Sequence, residues 1–391
     1  MQVKDWFIDV DTHVLEPADV WTSRLPEKWK DKGPVMRRNE DGVDAWHIGD
    51  TQAMIPVGHL ACAGWHEPFP AAPKNFDETP KSAWDPHARL AYMDSVGIWA
   101  MALYPNVGGF GNQAFLELKD PALMLACVQA YNDFLTEWCA ADTRRLIPIM
   151  ATPFWDVAAA VDEIRRCAAM GHKGILFSGS PQALGFPYIG DPHWQPIWDV
   201  ARDTGLPISL HIGSVNVEDE FPMGRIQAHG ITATTATQTV GLFMKAAIEA
   251  VDLALSGVLP RNPGVKFVSV ESGLGWVPFA LEAIDHAFQN AQVRRERPEF
   301  ERMPSEYFKE QIWACTFFEE SGPGDAVDRF PADRVMMETD FPHPVCLCYD
   351  RVREKVDKAF GHLDEADRHQ ILWKTAADLY DVARPDQAWQ V

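Results

Sequence analysis

The chain has 391 residues, with 35 Lys+Arg against 56 Asp+Glu for a formal charge of −21, and 47% of its residues are hydrophobic. That composition excludes a disordered chain, and the acidic balance excludes a nucleic-acid surface, which needs clustered Lys and Arg. No run reaches the ~18 apolar residues that cross a bilayer, and MQVKDWFIDVD puts acids where a signal peptide carries its apolar core.

The first strand is predicted over Trp6–Asp11. The stretch that follows, from about Val14 to Asp85, is rich in Pro, Trp and Gly. In it Asp41-Gly42 separates Val35–Arg38 from Val43–Ile48 in the manner of a hairpin turn. From there apolar runs alternate with amphipathic ones. An amphipathic stretch over Pro86–Val96 leads to a strand over Ile98–Tyr104, and a strand over Leu146–Ala151 to a helix over Val157–Met170. A strand over Ile175–Ser178 precedes a helix over Asp191–Thr204, which Gly205 and Pro207 end. Next come a strand at Ile208–His211, a helix at Thr237–Leu255, a strand at Lys266–Glu271 and a helix at Val277–Asn290. Strands at Ile312–Thr316 and Val335–Glu338 and a helix at Glu365–Tyr380 close the series.

Eight strands alternating with helices predict an α/β fold, a (β/α)8 TIM barrel. A doubly wound sheet would carry a Gly-rich phosphate turn after its first strand, where this chain has DVDTHVLEP. Residues 14–85 are then an insertion after the first strand that covers the active-site mouth. No linker divides the chain, so 1–391 is expected to form one domain.

In a barrel the site is built at the carboxyl ends of the strands. Asp11 and His13 end the first strand, two apart and so on one face. His211 ends the fifth, Glu271 the sixth, and Asp340 the eighth, with His343 three residues on. Singly, such residues serve as helix caps or core histidines. Two imidazoles and two or three carboxylates converging at one end call for a cation to neutralise and order them. Asp9 shares the parity of Asp11 and is expected to point inward lower in the barrel. Tyr104, Phe110 and Trp276 near strand ends, Ser178 at the end of the fourth strand, and Trp46, Trp65 and Phe69 in the insertion are the candidates for a largely apolar substrate pocket. No Arg stands on a strand end as a carboxylate clamp. Arg225 and Lys173 are the nearest alternatives. The seven Cys are scattered, and the Cys346/Cys348 pair has no partner pair at zinc-site spacing, so reduced thiols and a cytoplasmic protein are expected.

These residues resemble the amidohydrolase superfamily, in the amidohydrolase-2 branch that includes aminocarboxymuconate-semialdehyde decarboxylase-like proteins. The resemblance runs through ID-x-D-x-H-x-x-E-P (Ile8 to Pro17), RL-x-x-MD-x-x-GI (Arg89 to Ile98), LHIG (Leu210 to Gly213), ESG-x-GW-x-P (Glu271 to Pro278), ETDFPHP (Glu338 to Pro344) and KTAADLY (Lys374 to Tyr380). It implies one divalent metal ion held by Asp11, His13, His211 and Asp340, with Zn2+ first and Mn2+ or Fe2+ compatible, and Asp340 also acting as base. The decarboxylases of the branch usually carry His where this chain has Glu271, and ILFSGS offers Ser178 rather than the carbamylated Lys of binuclear members.

Two enzymatic readings follow. In the first a metal-activated water attacks an ester, thioester, amide or lactone of a hydrophobic or aromatic small molecule, with Asp340, Glu271 and His343 as the catalytic residues. This hydrolase is the leading expectation, because Glu271 departs from the decarboxylase pattern. The alternative is non-oxidative decarboxylation of an aromatic or unsaturated acid, in which Glu271 or His343 protonates carbon. A third reading is an inactive barrel that only binds. The expected partner is a small-molecule substrate, with neither nucleic acid nor membrane. A homodimer is considered because homodimers are common, though the sequence specifies no interface.

Overall fold

The computed structural model describes residues 5–49, 55–67, 71–214, 223–344, 346, 349–385, 387 and 389. Eight parallel strands close into a barrel: β1 (Phe7–His13), β2 (Ile98–Tyr104), β3 (Leu146–Met150), β4 (Gly174–Phe177), β5 (Ile208–His211), β6 (Phe267–Val270), β7 (Ile312–Thr316) and β8 (Val335–Met337). Each pairs with its neighbours in chain order, and β1 closes the ring between β2 and β8. This is the (β/α)8 architecture expected from the alternation of runs.

Short side-chain signals begin and end the helices between them. Asp85, Asp120 and Asp156 cap α1 (Pro86–Val96), α2 (Pro121–Cys139) and α3 (Val157–Ala169), each accepting a first-turn N–H. Gly97 ends α1 with φ +75°, a conformation in which Gly carries no steric cost. α4 (Gln195–Thr204) begins after a short 3-10 turn at Pro192–Trp194, α5 (Ile231–Leu255) starts six residues before the predicted Thr237, and α6 (Val277–Asn290) matches its predicted bounds. The predicted single helix at the C-terminus is broken into Glu365–His369, a π-helical stretch Gln370–Lys374, and Thr375–Tyr380. Among the described residues no helix is long and apolar enough to cross a membrane.

A β-bulge in β1 decides which residues enter the barrel. Asp9 pairs with Met101 and Thr12 with Leu103, so three steps on β1 answer two on β2. The extra residue breaks the alternation between Asp9 and Asp11, which corrects the expectation for Asp9. Its carboxylate accepts Thr339 N–H (3.0 Å) and Thr339 Oγ1 (2.5 Å), tying β1 to the segment beyond β8. Burial raises its pKa to about 8.

Two layers of core result. Outer faces of the strands pack on the helices through Phe7, Met101, Leu103, Phe177 and Phe267. The barrel interior holds Ile8, Val10, Ala100, Ile149, Val268 and Met336, and its amino-terminal end is stopped by Trp99, Trp313, Trp373 and Tyr380.

The insertion forms a three-stranded antiparallel sheet, with strands Val35–Arg38, Asp44–His47 and Ile55–Pro56. The first two are the predicted hairpin. It returns to the barrel through Cys62 and Ala63, whose N–H groups donate to Pro342 O, and through Leu15 N–H, which donates to Ala83 O. The fully buried Arg89 of α1 fastens this return, donating to Ser82 O (2.5 Å), Ala83 O (3.3 Å) and His13 O (2.6 Å), with Phe341 stacked 4.4 Å from its guanidinium.

Candidate active site and metal centre

Asp11 and His13 on β1, His211 at the end of β5, Glu271 just past β6, and Asp340 and His343 past β8 meet at the carboxyl end of the barrel. All are buried, Glu271 and His343 being the most accessible at 6% and 7%. Carboxylate oxygens of Asp11, Glu271 and Asp340 lie within 4.8 Å of one another. Glu271 and Asp340 each adopt left-handed backbone at φ +58° and +57°. For a residue with a Cβ this costs of order 1–3 kcal/mol, and such strain collects at functional sites. The N–H of Glu271 is held by Glu338 Oε2 at 3.0 Å.

The hydrogen bonds set the direction of each imidazole. His13 Nδ1 faces Pro105 O (3.2 Å) and His211 Nδ1 faces Ile212 O (2.8 Å). A carbonyl only accepts, so both Nδ1 atoms carry hydrogen and both Nε2 lone pairs point into the cluster. There His13 Nε2 is 3.5 Å from Asp11 Oδ1 and 3.4 Å from Asp340 Oδ1, and His211 Nε2 is 3.3 Å from Asp11 Oδ1. Lone pairs facing carboxylates repel unless a proton or cation lies between them. His13 Nε2, Asp11 Oδ2 and Asp340 Oδ2 are buried without any hydrogen-bond partner. Two imidazoles and two carboxylates are a donor set that divalent transition metals take, so these residues fit the metal ion that the sequence implied.

The electrostatics agree. Burial works against protonation of His211, but Asp11 and Glu271 beside it push its pKa up to about 9, marking a place where positive charge is stabilised. Burial, then Asp340, raises Glu271 well above the usual carboxylate range, and burial, then Asp11, does the same to Asp340. His343 differs from the other two imidazoles. Its Nδ1 meets Asp340 Oδ1 at 2.6 Å and its Nε2 meets Asn106 Oδ1 at 2.7 Å, so neither nitrogen is left for a metal.

Of the residues expected at the substrate, Phe110 stacks on His211 at 4.6 Å and lies 5.1 Å from His13. Tyr104 is 5.2 Å from His211 and bonds Ser209 Oγ at 2.9 Å. Ser178 is paired with Ser214 Oγ at 3.2 Å. Trp65 sits half-buried on the loop after Cys62, against His66. Trp276 stands apart from these: its indole donates to Ser272 O and its ring packs edge-on against Phe308, in the layer between helices. Trp46 is fully buried against Trp21, and Phe69 and Cys348 lie outside the described residues. Neither suggested cation is a free clamp, since Lys173 pairs with Asp381 and Arg225 donates to Gln238.

Four residues escape a reading of the sequence alone. Glu16, Arg89 and Glu338 stand within recognisable motifs but carry no role there, and Asn106 gives no signal beyond following β2. Glu16 is fully buried and accepts the N–H groups of Asn106 (2.9 Å) and Val107 (3.0 Å), so burial lifts its pKa only to about 7.

Comparison with known proteins agrees with this geometry. The sequence profile of the family described as Amidohydrolase matches residues 8–382. A gamma-resorcylate decarboxylase of Rhodococcus jostii is 29% identical over 306 residues, which is 76% of this chain and 87% of that protein. An amidohydrolase structure from Mycobacterium avium subsp. paratuberculosis superposes with a TM-score of 0.76 at 22% identity, covering 97% of this chain and all of that one. A dihydroxybenzoic acid decarboxylase from Polaromonas, solved with bound manganese and 2-nitroresorcinol, gives 0.63 at 20% identity over 98% of both chains. The curated relative overturns the expectation that hydrolysis comes first. The reason is physical: a nest of two imidazoles and two carboxylates suits the activation of water or the seating of a substrate carboxylate alike, and a buried Glu with a raised pKa is, like His, a group able to carry a proton.

Proposed function

The chain belongs to the amidohydrolase family, and on that footing we propose that this enzyme is a metal-dependent carboxy-lyase, acting as a single domain over residues 1–391. Its substrate is an aromatic acid with a hydroxyl next to the carboxylate. The observation that carries the reading is the set of inward-facing buried atoms, Asp11 Oδ2, His13 Nε2 and Asp340 Oδ2, which have no hydrogen-bond partner among the described residues. Together with His211 these residues would hold one divalent ion. Zn2+ and Mn2+ both suit the ligands, and the manganese in the Polaromonas enzyme favours Mn2+. An ion held by these residues would supply Lewis-acid polarisation of an acidic substrate.

The chain's own residues do the rest. Phe110, stacked on His211, offers an apolar face for the ring and keeps water out. Glu271, whose carboxyl burial raises well above the usual carboxylate range, delivers a proton to the ring carbon that bears the carboxylate. The bond to the carboxylate then breaks, its electron pair returns to the ring, and CO2 leaves, so that ArCOO− plus H+ gives ArH plus CO2. The Asp340–His343 pair, next to Glu271, reloads it. The buried, unpaired thiols Cys62, Cys127, Cys139, Cys167 and Cys315 suit the reducing cytoplasm. The exposed apolar side chains Val240, Met244 and Ile248 of α5 and Phe279 of α6 offer a face for a homodimer.

The test is metal analysis of protein purified without chelator, joined to an assay of CO2 release from 2,6-dihydroxybenzoate and related hydroxybenzoates. One equivalent of metal and CO2 release lost on chelation and restored by Mn2+ are expected, with Glu271→Gln slower by about 10^2-fold. A protein without metal, or one that hydrolyses esters and releases no CO2, overturns the proposal.

A further inference from the structure

We infer that Asn106 is a positioning residue that fixes the tautomer and orientation of the His343 ring beside Asp340. The chain of contacts starts at Val14, whose carbonyl accepts the Asn106 side chain at 2.9 Å. Because a carbonyl cannot donate, Nδ2 of Asn106 faces Val14 and the amide oxygen faces His343, so the orientation of the carboxamide is decided by its partners. That oxygen also only accepts. The ring nitrogen 2.7 Å from it, His343 Nε2, therefore carries a hydrogen.

With Nε2 held by Asn106, the other ring nitrogen, Nδ1, is turned to Asp340 Oδ1, 2.6 Å away. If the carboxamide were absent, the hydrogen on Nε2 would lose its acceptor and the ring its anchor, and Asp340 would lose the fixed contact that orients its carboxylate.

Asn106 is suited to this duty because it cannot turn. Its own N–H and that of Val107 are both held by Glu16 Oε1, and the residue is 3% exposed. The Glu of the D-x-H-x-x-E-P motif thereby secures the turn after β2 that aims Asn106 at the segment after β8. Partners of this kind, one step behind the reacting groups, commonly change activity by 10–100-fold when removed.

The inference rests on the carboxy-lyase reading for its consequence, but the tautomer is a property of the resting protein and is tested separately. The full chain, 15N-labelled at histidine and exchanged into diamagnetic Zn2+, is examined by NMR of the ring nitrogens, with His343→Gln to assign the signal. A protonated Nε2 is expected in the unaltered protein and in Asn106→Asp, which keeps an acceptor at that place. Asn106→Leu, similar in size and without an acceptor, is expected to populate the second tautomer. Its kcat should fall about 10-fold with KM within twofold, and Asn106→Asp should recover part of that loss. A bare Nε2 in the unaltered protein, an unshifted tautomer in Asn106→Leu, or an unshifted kcat in a variant whose tautomer has changed overturns the inference. Should Asn106→Leu not fold, a bare Nε2 in Asn106→Asp does so. A protonated Nε2 in a protein that releases no CO2 leaves the tautomer lock standing and removes the carboxy-lyase reading instead.

Discussion

The two ends of this barrel are built on opposite principles. At the amino-terminal end Trp99, Trp313, Trp373 and Tyr380 close the interior with apolar surface. The arginines nearby serve that packing, Arg145 lying 4.8 Å from the Trp99 ring and Arg334 4.5 Å from that of Trp313. At the carboxyl end three carboxylates and two inward-pointing imidazole lone pairs are buried together, two of the carboxylates on residues held in left-handed backbone. One end lowers the free energy of the fold, and the other spends some of it on a site whose donors suit a cation. Stability and activity should therefore separate along the barrel axis, as is general for this architecture.

The largest break in that comparison is expected from two substitutions of similar size and opposite kind. His211→Ala should cost about 10^3-fold in turnover and most of the bound metal while leaving the unfolding midpoint of the metal-free protein within a few degrees, read by kinetics, metal content and thermal melts. Trp373→Ala should cost about 3–5 kcal/mol of unfolding free energy by denaturant titration, with kcat per folded molecule unchanged. If Trp373→Ala lowers kcat, or His211→Ala destabilises the metal-free fold by as much, the division is wrong.

A smaller effect sharpens it through pH. His172, at the amino-terminal side of β4, is buried with Nε2 2.8 Å from Thr136 Oγ1, and burial depresses its pKa to about 4. A His depressed in the fold contributes stability that is complete above the unfolded pKa near 6.5 and is lost as pH falls toward 4. Between pH 7 and pH 5 that loss should be about 2 kcal/mol. His172→Gln should flatten the decline measured by denaturant titration. An equally steep decline in the variant would assign the acid sensitivity elsewhere.

How much of this was legible follows from the range of the forces involved. β2, β5 and β7 have the bounds predicted from their apolar runs, because burial on both faces writes itself into every residue of a short strand. Asp11, His13, His211 and Asp340 were legible because the fold places strand ends together once the strands are found. Asp9 was misread because a bulge is a pairing error between two strands, and one strand's alternation carries no trace of it. Asn106 and Glu338 were missed since their meaning lies in partners 237 and 67 residues away. The preference for hydrolysis failed for another reason: ligand identity constrains the metal more tightly than it constrains the reaction.

Arg89 carries a consequence for how such a molecule changes over time. Its guanidinium binds the carbonyls of Ser82 and Ala83, where the insertion ends, and of His13, at the end of β1, in one buried fan. A loop that shapes a pocket is usually free to be exchanged, lengthened or borrowed from a cousin. Here the last residues of that loop and the carboxyl end of β1 share an anchor, so a transplanted segment must end in carbonyls that meet the same fork. Diversification of the insertion is thereby confined to its outer sheet, and its root is inherited with β1.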